Sequence, residues 1–157
     1  MPTFGSESKA AQATCHPLII KTTNLAIRHW DFKILSGWRG EEEQNALVGR
    51  GLSKTPWPQS QHNHLATAEE VTEGWALEVG QQLSLAFDWA PWFQARPHIR
   101  WNHPDEFRHL AGLIQGISWE LLFEAGYKWR WGGDWDGDMD LRDQTFFDLG
   151  HLELRRI

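Results

Sequence analysis

Hydrophobic residues recur along this chain with two periods, one near 3.6 residues and one of two residues, which are typical of helices and strands. The strongest helical pattern lies in residues 107–122. Pro104 and two acidic residues precede it, so we expect this helix to begin near Asn102 or His103. Gly126 predicts its end. Its predicted buried face consists of Phe107, Leu110, Ala111, Ile114, Ile117, Ser118, Leu121 and Leu122.

Three shorter segments upstream carry weaker signals. Residues 17–30 begin with a proline and show a rough apolar face, which predicts a helix. Residues 32–35 predict a short strand. Residues 41–47 predict a second helix, because their three glutamates suit the positive end of a helix dipole, and we expect it to end at Gly49 or Gly51.

Two further strand signals lie in the second half of the chain. Residues 85–90 are apolar except for Asp88, and Pro91 ends the segment. A carboxylate inside an apolar strand has to be paired or bound to a metal. Residues 128–131 begin a final strand–loop–strand region, whose loop is rich in glycine and aspartate.

The remaining segments show no clear period. Residues 1–16 are rich in Ser, Ala, Thr and Gln, and we expect them to form a flexible N-terminal arm ahead of one domain over residues 17–157. Residues 52–64 contain two prolines, which predict an ordered loop rather than a helix. Residues 65–82 predict an insertion that forms a partly helical flap, and its role stays open.

Composition limits the classes of function. With 157 residues the chain has the size of one domain, and its formal charge of −6 argues against a nucleic-acid partner. Eleven tryptophans could line a groove, although packing in the core is the more ordinary role. The chain has neither an apolar run of membrane-spanning length nor a start typical of a signal peptide. We therefore expect synthesis in the cytoplasm, no stable membrane association, and a monomer.

The candidate chemistry is spread over three segments. Cys15 is the only cysteine, so a bound metal would be held by His, Asp or Glu. His62 lies in the predicted loop, Asp88 in an apolar strand, and His151 three residues after Asp148. Two imidazoles and one carboxylate leave a fourth tetrahedral position open, which is the pattern of a catalytic zinc. Eight histidines permit many such triplets, and an ordinary hydrogen-bonded histidine or turn aspartate is the alternative.

Five segments contain motifs that a known family shares. Residues 36–47 contain S-G-W-R and E-Q-N-A-L, residues 53–63 read S-K-T-P-W-P-Q-S-Q-H-N, and residues 85–92 read L-A-F-D-W-A-P-W. Residues 129–138 read W-R-W-G-G-D-W-D-G-D, and residues 148–153 read D-L-G-H-L-E. In this order they resemble the zinc D-Ala-D-Ala carboxypeptidase and L-alanyl-D-glutamate peptidase family, in which phage endolysins are numerous.

The resemblance implies a zinc site and a catalytic residue. His62, Asp88 and His151 match the family's zinc ligands, and Asp148 matches its catalytic acid. Asp148 would accept a proton from the zinc-activated water and return it to the departing amine. Arg39 would orient a substrate carboxylate or stabilise the oxyanion, unless it forms a salt bridge with the neighbouring glutamates.

Further positions in these motifs are predicted to support the site or bind substrate. Gln44 is expected to hold its loop or the substrate, with a plain helix-surface role as the alternative. Ser60 is expected to form hydrogen bonds in or near the site, and Glu153 to orient a metal ligand from behind. Asp134 and Trp135 are expected to form the floor of the cleft.

The sequence departs from the family pattern in two places. The candidate aspartate follows the first histidine by 26 residues, which is a longer interval than in many members. Glu69, Glu70 and His64 are therefore rival ligands. Gly150 and Leu152 replace the family's usual proline and phenylalanine, which should loosen the strand without removing a ligand.

A ladder of four aspartates invites a separate interpretation as a calcium site. It fails part of the EF-hand pattern, because Met139 occupies the place of the glycine and no glutamate closes the loop. A solvated turn is the favoured reading, with calcium as the alternative. The ladder consists of Asp134, Asp136, Asp138 and Asp140.

The resemblance implies a small α+β domain in which an antiparallel sheet is flanked by helices. It also implies a zinc-dependent peptidase of the endolysin type that cuts stem peptides of bacterial peptidoglycan and reaches the cell wall after release. The bond could be L-Ala–D-Glu, D-Ala–D-Ala or a cross-bridge. The alternatives are a bacterial D,D-carboxypeptidase that trims the wall and a phage virion structural component with this fold.

Overall fold

A computed structural model describes all residues from 1 to 157 and contains one four-stranded antiparallel sheet. Its strands are β1 (Phe32–Ser36), β2 (Ala86–Pro91), β3 (Tyr127–Gly132) and β4 (Asp148–Arg156), and their spatial order is β1-β2-β4-β3. The last strand of the sequence therefore lies inside the sheet, between β2 and β3. This architecture confirms the predicted α+β class with an antiparallel sheet.

Helices cover the sheet and fill its connections. The longest one, α5, packs against β2, β3, β4 and the second helix, while the first helix packs against β1. None of the helices has the length and apolar character that crossing a lipid bilayer requires. The helices are α1 (Ser6–Gln12), α2 (Pro17–Ala26), α3 (Glu41–Gly49), α4 (Ala68–Thr72) and α5 (Pro104–Glu124), with a short 3₁₀ helix at Gln61–Asn63.

The long helix α5 follows its sequence signals closely. Pro104 occupies the first turn with two acidic residues beside it, and Gly126 adopts a positive φ of 79° just beyond the end. Six of the predicted face residues are buried, whereas Ile117 and Leu121 lie at its edge and are partly buried. This helix shields one face of the sheet from water and leaves the other side of β2 and β4 for polar residues.

Tryptophan contributes less to the core than its abundance predicts. Trp89 and Trp131 are buried, and all the other tryptophans are partly or fully exposed. Trp101 and Trp135 instead line an open cleft beside the sheet. Some of the tryptophans therefore line a groove, which is the alternative role that the sequence allows.

The N-terminal residues differ from the expected loose arm. Ser6–Gln12 forms α1, and Phe4 packs edge-on against Phe32 with ring centroids 5.1 Å apart. Ser8 is buried and its hydroxyl accepts a hydrogen bond of 3.2 Å from the backbone N–H of Ile34. The sequence does not predict this docking, because a few long-range contacts rather than a periodic apolar face hold the segment to the sheet.

The insertion at residues 65–82 contains one short helix, as predicted. Thr67 caps α4 through the backbone N–H of Glu70, whose carboxylate accepts in return from the Thr67 backbone. Glu70 also contacts His64 at 2.8 Å. The residues of this insertion do not line the cleft, so a flap over the cleft is not what the structure shows.

Candidate metal centre and active-site cleft

The register of the sheet brings two of the candidate ligands together. Asp88 of β2 lies directly opposite His151 of β4, and Asp88 Oδ1 is 2.9 Å from His151 Nδ1. Side chains alternate between the two faces of a strand, so Glu153 lies on the same face as His151. The candidate centre is therefore built into the middle of the sheet rather than onto a terminal loop.

The third candidate ligand arrives from outside the sheet. His62 lies in the 3₁₀ helix Gln61–Asn63, which Ser60 caps by accepting from the His62 backbone N–H at 3.3 Å. Asn63 donates its side-chain amide to the carbonyl of Arg39 at 3.0 Å, and Arg39 donates its N–H to the carbonyl of His62 at 2.8 Å. These reciprocal bonds fix the loop against the end of β1.

The three side chains converge on one point. His62 Nε2 lies 3.3 Å from Asp88 Oδ1 and 3.4 Å from His151 Nδ1. Both histidines are buried, with 1% and 7% exposure respectively. The three donor atoms lie close enough together to share a single metal ion.

Each imidazole is oriented by a hydrogen-bond acceptor behind it. His62 Nδ1 lies 2.6 Å from the carbonyl oxygen of Gly37, and His151 Nε2 lies 3.2 Å from Glu153 Oε2. A carbonyl or carboxylate oxygen can only accept, so both outer nitrogens carry the proton. The inner nitrogens consequently present lone pairs to the same point as the Asp88 carboxylate.

This concentration of electron-rich atoms favours a cation at the centre. Burial alone would raise the pKa of Asp88, but His62 and His151 hold it well below its usual range. Burial alone would lower the pKa of His151, but hydrogen bonds to Asp88 and Glu153 raise it to about 10. A proton on His151, or a metal ion shared by all three side chains, relieves the repulsion between the lone pairs.

Glu153 is itself paired with two arginines. Its Oε1 lies 3.0 Å from Arg130 Nη1 and 2.7 Å from Arg155 Nη2. Although burial opposes ionisation, the hydrogen bond from His151 and the charge of Arg155 lower the pKa of Glu153 to about 2. The predicted supporting position of Glu153 behind a ligand matches this arrangement.

Arg39 points into the centre rather than towards the glutamates at the start of α3. Its guanidinium pairs with the second carboxylate oxygen of Asp88, and its Nε donates to the hydroxyl of Ser36 at 2.9 Å. The alternative of a salt bridge with the neighbouring glutamates is therefore wrong. Arg39 is buried yet still borders the cleft.

Asp148 lies at the start of β4 and faces the cleft beside the ligand cluster. Its carboxylate has no hydrogen-bond or ion-pair partner within the chain. Burial and the nearby charge of Asp88 raise the pKa of Asp148, while His151, His62 and Arg39 oppose that rise. A carboxylate with a raised pKa and no fixed partner is suited to exchange protons with a bound molecule.

Gln44 holds the loop that carries His62. Its side-chain amide donates to the hydroxyl of Ser53 at 3.0 Å and to the carbonyl of Thr55 at 2.6 Å. Gln44 is fully buried and does not line the cleft. Of the predicted roles, loop support matches the contacts, whereas a plain helix-surface position does not.

The N-terminal segment supports the same loop from behind. A Cβ added to Gly37 would lie only 2.3 Å from the carbonyl oxygen of Ala11, so a glycine is required for this close approach. Thr14 accepts from the backbone N–H of Trp38 at 2.8 Å. The carbonyl that orients His62 is thus placed by residues that the sequence assigned to a loose arm.

Gly150 tightens the sheet, contrary to the expectation that it would loosen the strand. A Cβ at this position would lie 2.4 Å from the carbonyl oxygen of Trp89, so β4 could not approach β2 as closely with a larger residue. Leu152, which was included in the same expectation, is fully buried in the core. Both residues hold β4 where His151 meets Asp88.

Trp135 forms part of the cleft wall, whereas Asp134 does not. The Trp135 ring lies 5.5 Å from the His151 ring, and its indole N–H donates to the carbonyl of Phe146 at 2.8 Å. Asp134 accepts backbone N–H groups of Gly137 and Met139 at 3.0 and 3.1 Å. Asp134 therefore closes the following turn and does not lie in the floor of the cleft, where it was expected.

The aspartate ladder forms this hydrogen-bonded turn. Gln144 donates to Asp136 at 2.9 Å, and Asp140 pairs with Arg142. These bonds match the solvated turn that the sequence favours. The carboxylates of Asp134, Asp136 and Asp138 also lie close together, and calcium binding there stays an untested alternative.

The rival ligands do not join the cluster. Glu70 is engaged with His64 and with the cap of α4, and neither residue belongs to a group of three potential ligands. Glu69 is exposed to solvent. The long interval between His62 and Asp88 therefore accommodates an insertion without supplying a ligand.

The cluster opens into a cleft of about 900 Å³. Several lining residues escaped the sequence reading, among them Lys54, Trp101, Arg130 and Phe146. Arg130 lies directly opposite Glu153 in the sheet, and this pairing cannot be read from the sequence. The others lie in loops, where no periodic signal indicates which side chains face the cleft.

Two known proteins are similar to this chain, one in sequence and one in fold. The chain is 28% identical over 158 residues to the L-alanyl-D-glutamate peptidase of Escherichia phage T5, and the match covers 96% of each chain. Its fold is similar to the crystal structure of the Serratia marcescens L-Ala D-Glu endopeptidase ChiX, with a TM-score of 0.63 and 21% identity. That match covers 97% of this chain and 89% of the other.

The family profile described as phage L-alanyl-D-glutamate peptidase matches residues 2–155, which is nearly the whole chain. This range includes the N-terminal helix, the insertion and all the residues of the candidate centre. The resemblance inferred from the five motifs is confirmed. The chain belongs to the phage L-alanyl-D-glutamate peptidase family.

Proposed function

We propose that this chain is a zinc-dependent peptidase that hydrolyses the L-Ala–D-Glu bond in stem peptides of bacterial peptidoglycan. Membership of the family supports the reaction, and the phage T5 and Serratia relatives carry names that specify this bond. The observation that carries the proposal is the convergence of His62, Asp88 and His151 beside the unpartnered carboxylate of Asp148. A structural protein would have no need for this arrangement.

The donor set fits zinc. Bonds of about 2.0–2.1 Å to a tetrahedral zinc place neighbouring donor atoms about 3.3 Å apart. The three donor atoms of His62, Asp88 and His151 are separated by 2.9, 3.3 and 3.4 Å. Two imidazoles with one carboxylate are a common ligand set for zinc, and they leave one position for water or substrate.

Bound zinc would supply a Lewis acid that makes water a nucleophile at neutral pH. Asp148 takes up the proton that the attacking water loses, because its pKa is raised and its oxygens are free. Asp148 then donates this proton to the amine of the departing D-glutamate. The carboxylate therefore acts first as a base and then as an acid.

Arg39 and Glu153 support the candidate ligands Asp88 and His151 through an ion pair and a hydrogen bond. Arg39 neutralises the outer oxygen of Asp88, and we assign its remaining N–H groups, which border the cleft, to negative charge on the substrate. Glu153 keeps the outer proton on His151 and so directs its lone pair inward. Gln44 and Ser60 hold the loop of His62.

The site of action follows from the substrate. Peptidoglycan stem peptides lie outside the cytoplasmic membrane, so we propose that the chain acts on the cell wall after release, as expected of an endolysin. The cleft of about 900 Å³ has the size of a site for a small ligand, so it can hold a segment of a stem peptide. A trimming D,D-carboxypeptidase would use the same centre on a different bond.

The first test is digestion of a defined peptidoglycan with mass spectrometry of the products. We expect products with a new N-terminal D-glutamate, and release of terminal D-alanine instead would establish the carboxypeptidase alternative.

Asp148→Asn should lower kcat by about 10²–10⁴-fold while zinc content stays the same, because the carboxylate moves protons but does not bind the metal. Asp105→Asn, at an exposed aspartate of α5, is the matched control. Full activity of Asp148→Asn would show that another group transfers the proton.

A further inference from the structure

The cleft contains one cation that no carboxylate of the protein neutralises. The basic residues lining the cleft are Arg39, Lys54, Arg130 and Arg155. Arg39 is paired with Asp88, and the other two arginines are both paired with Glu153. Lys54 belongs to no ion pair, although Glu43 also borders the cleft.

Lys54 is nevertheless held in a defined place. Its ammonium lies 4.3 Å from the centre of the Phe146 ring. Phe146 is stacked on Trp135 with ring centroids 6.2 Å apart, and Trp135 lies 5.5 Å from the ring of His151. A continuous aromatic wall therefore connects the candidate metal centre to this ammonium. The contact with Phe146 orients the charge but leaves its hydrogen-bonding capacity free.

The proposed substrate carries negative charge on the departing side of the bond. The amine of D-glutamate forms the scissile amide, and one of its two carboxyl groups suffices to continue the peptide. The second carboxyl group is therefore either a free carboxylate or an amide. The C-terminus of the stem peptide supplies another carboxylate further along the chain.

We propose that Lys54 is a specificity-determining residue that binds a free carboxylate of the stem peptide. The inference rests on the proposed function and adds to it a preference for acidic over amidated stem peptides. Lys54 is exposed in the free protein, so its ammonium exchanges water for the carboxylate when substrate occupies the cleft. The aromatic wall places this contact away from the reacting atoms. It therefore contributes to substrate binding and does not take part in the chemical step.

The test compares synthetic stem peptides that are identical except for amidation. One peptide has the free glutamate carboxyl group, a second has this group as an amide, and a third has only its C-terminal carboxyl amidated. With Lys54→Met we expect KM for the acidic peptide to rise about tenfold and kcat to stay within about twofold. Lys54→Arg should retain most of the affinity, because it keeps the charge.

Lys21→Met provides the matched control. Lys21 lies 5.1 Å from the centre of the Trp75 ring and does not border the cleft, so this variant also removes a lysine from an aromatic face. We expect its KM to be unchanged for all three peptides. A general effect of losing a surface charge would instead affect Lys21→Met and Lys54→Met alike.

The amidated peptides identify the carboxylate and separate two kinds of failure. The peptide on which Lys54→Met and the wild type have equal KM lacks the group that Lys54 binds. An unchanged KM of Lys54→Met for the acidic peptide, with normal wild-type cleavage, overturns the role of Lys54 alone. Failure of the wild type to cleave any of the peptides overturns the proposed function and this inference together.

Discussion

The candidate centre has two halves that are supported in different ways. Asp88 and His151 lie opposite each other on adjacent strands, and the ladder of backbone hydrogen bonds sets their separation. His62 reaches the same point from a loop that contains no regular strand. The sheet half is fixed by register, whereas the loop half depends on contacts with α3 and, through Gly37 and Trp38, with the N-terminal segment.

The difference shows where the site is vulnerable. A change in register would displace every side chain on β4, so the backbone of the sheet half can shift only together with the fold. The loop half can shift while the sheet remains intact, because Gln44, Asn63 and Gly37 hold it through individual hydrogen bonds. Substitutions in the two halves should therefore have separable effects on metal binding and stability.

The largest effect is expected from removing one of the two candidate ligands of the sheet half. Asp88→Ala leaves two imidazoles and an unpaired, buried Arg39, so we expect loss of bound zinc and of detectable peptide cleavage. Metal content measured by mass spectrometry after gel filtration tests this expectation. Glu69→Ala, at the exposed rival carboxylate, should keep both zinc and activity. Zinc retention in Asp88→Ala would contradict the assignment of the ligand.

A smaller effect is expected from the residues behind the ligands. Glu153→Gln removes the charge that orients His151, and we expect zinc affinity to fall about 10–100-fold.

Gln44→Leu removes the hydrogen bonds that hold the loop of His62. We expect a similar loss of zinc affinity and a decrease of about 1–3 kcal/mol in the free energy of unfolding. Competition with a chromophoric chelator measures the affinity, and urea unfolding measures the stability.

Gln82→Leu is the control for the loop variant, because Gln82 is exposed and lies in the insertion outside the cleft. It should leave zinc affinity unchanged. Equal zinc affinity of Gln44→Leu and the wild type would show that the loop half keeps His62 in place without Gln44. The contrast between the two halves would then be wrong.

The last effect leaves the candidate ligands in place and concerns only the stability of the fold, which His16 at the start of α2 makes dependent on pH. Burial lowers the pKa of His16 from 6.5 to about 4, and His16 Nδ1 accepts from the backbone N–H of Leu18. Between pH 4 and 6.5, His16 is therefore neutral in the folded chain but protonated in the unfolded chain. This contribution to stability is present above pH 6.5 and is lost as the pH falls towards 4, by at most about 3 kcal/mol.

His16→Asn keeps a side chain that can cap α2 and removes the titration. Urea unfolding between pH 4 and 7, with chelator present to exclude metal release, should show a flatter acid limb than in the wild type. His29→Asn, at an exposed histidine, should leave the slope unchanged. An identical slope in His16→Asn and the wild type would assign the acid sensitivity to other groups.

The sequence predicts the two halves with unequal success. The period of α5 and the apolar run around Asp88 indicate the elements of the sheet half, and the motifs then identify His151 and Asp148. Pairing partners are a matter of topology, so the opposition of Asp88 and His151 could not be read from spacing. The family resemblance supplied the juxtaposition, and the structure explains it by the β2–β4 register.

The loop half and its supports were the hardest to predict. Phe4 and Ser8 make long-range contacts that have no periodic signature, so the N-terminal segment was read as an arm. Arg39 was assigned to substrate without its bond to Asp88, because side chains far apart in sequence meet only in the folded chain. Glycine at position 150 looked like a loosening substitution, whereas close strand approach requires it.

The hydrogen bonds behind the two histidines have a consequence for when the protein becomes active. Gly37 and Glu153 orient the imidazoles from within the chain, and the hydrophobic core includes none of the three candidate ligands. In small zinc-binding domains the metal supplies the free energy of folding. This domain has a core of its own, so under the proposed function it would fold first and bind its metal afterwards. Metal supply would then set the moment at which peptidase molecules that are already folded become active.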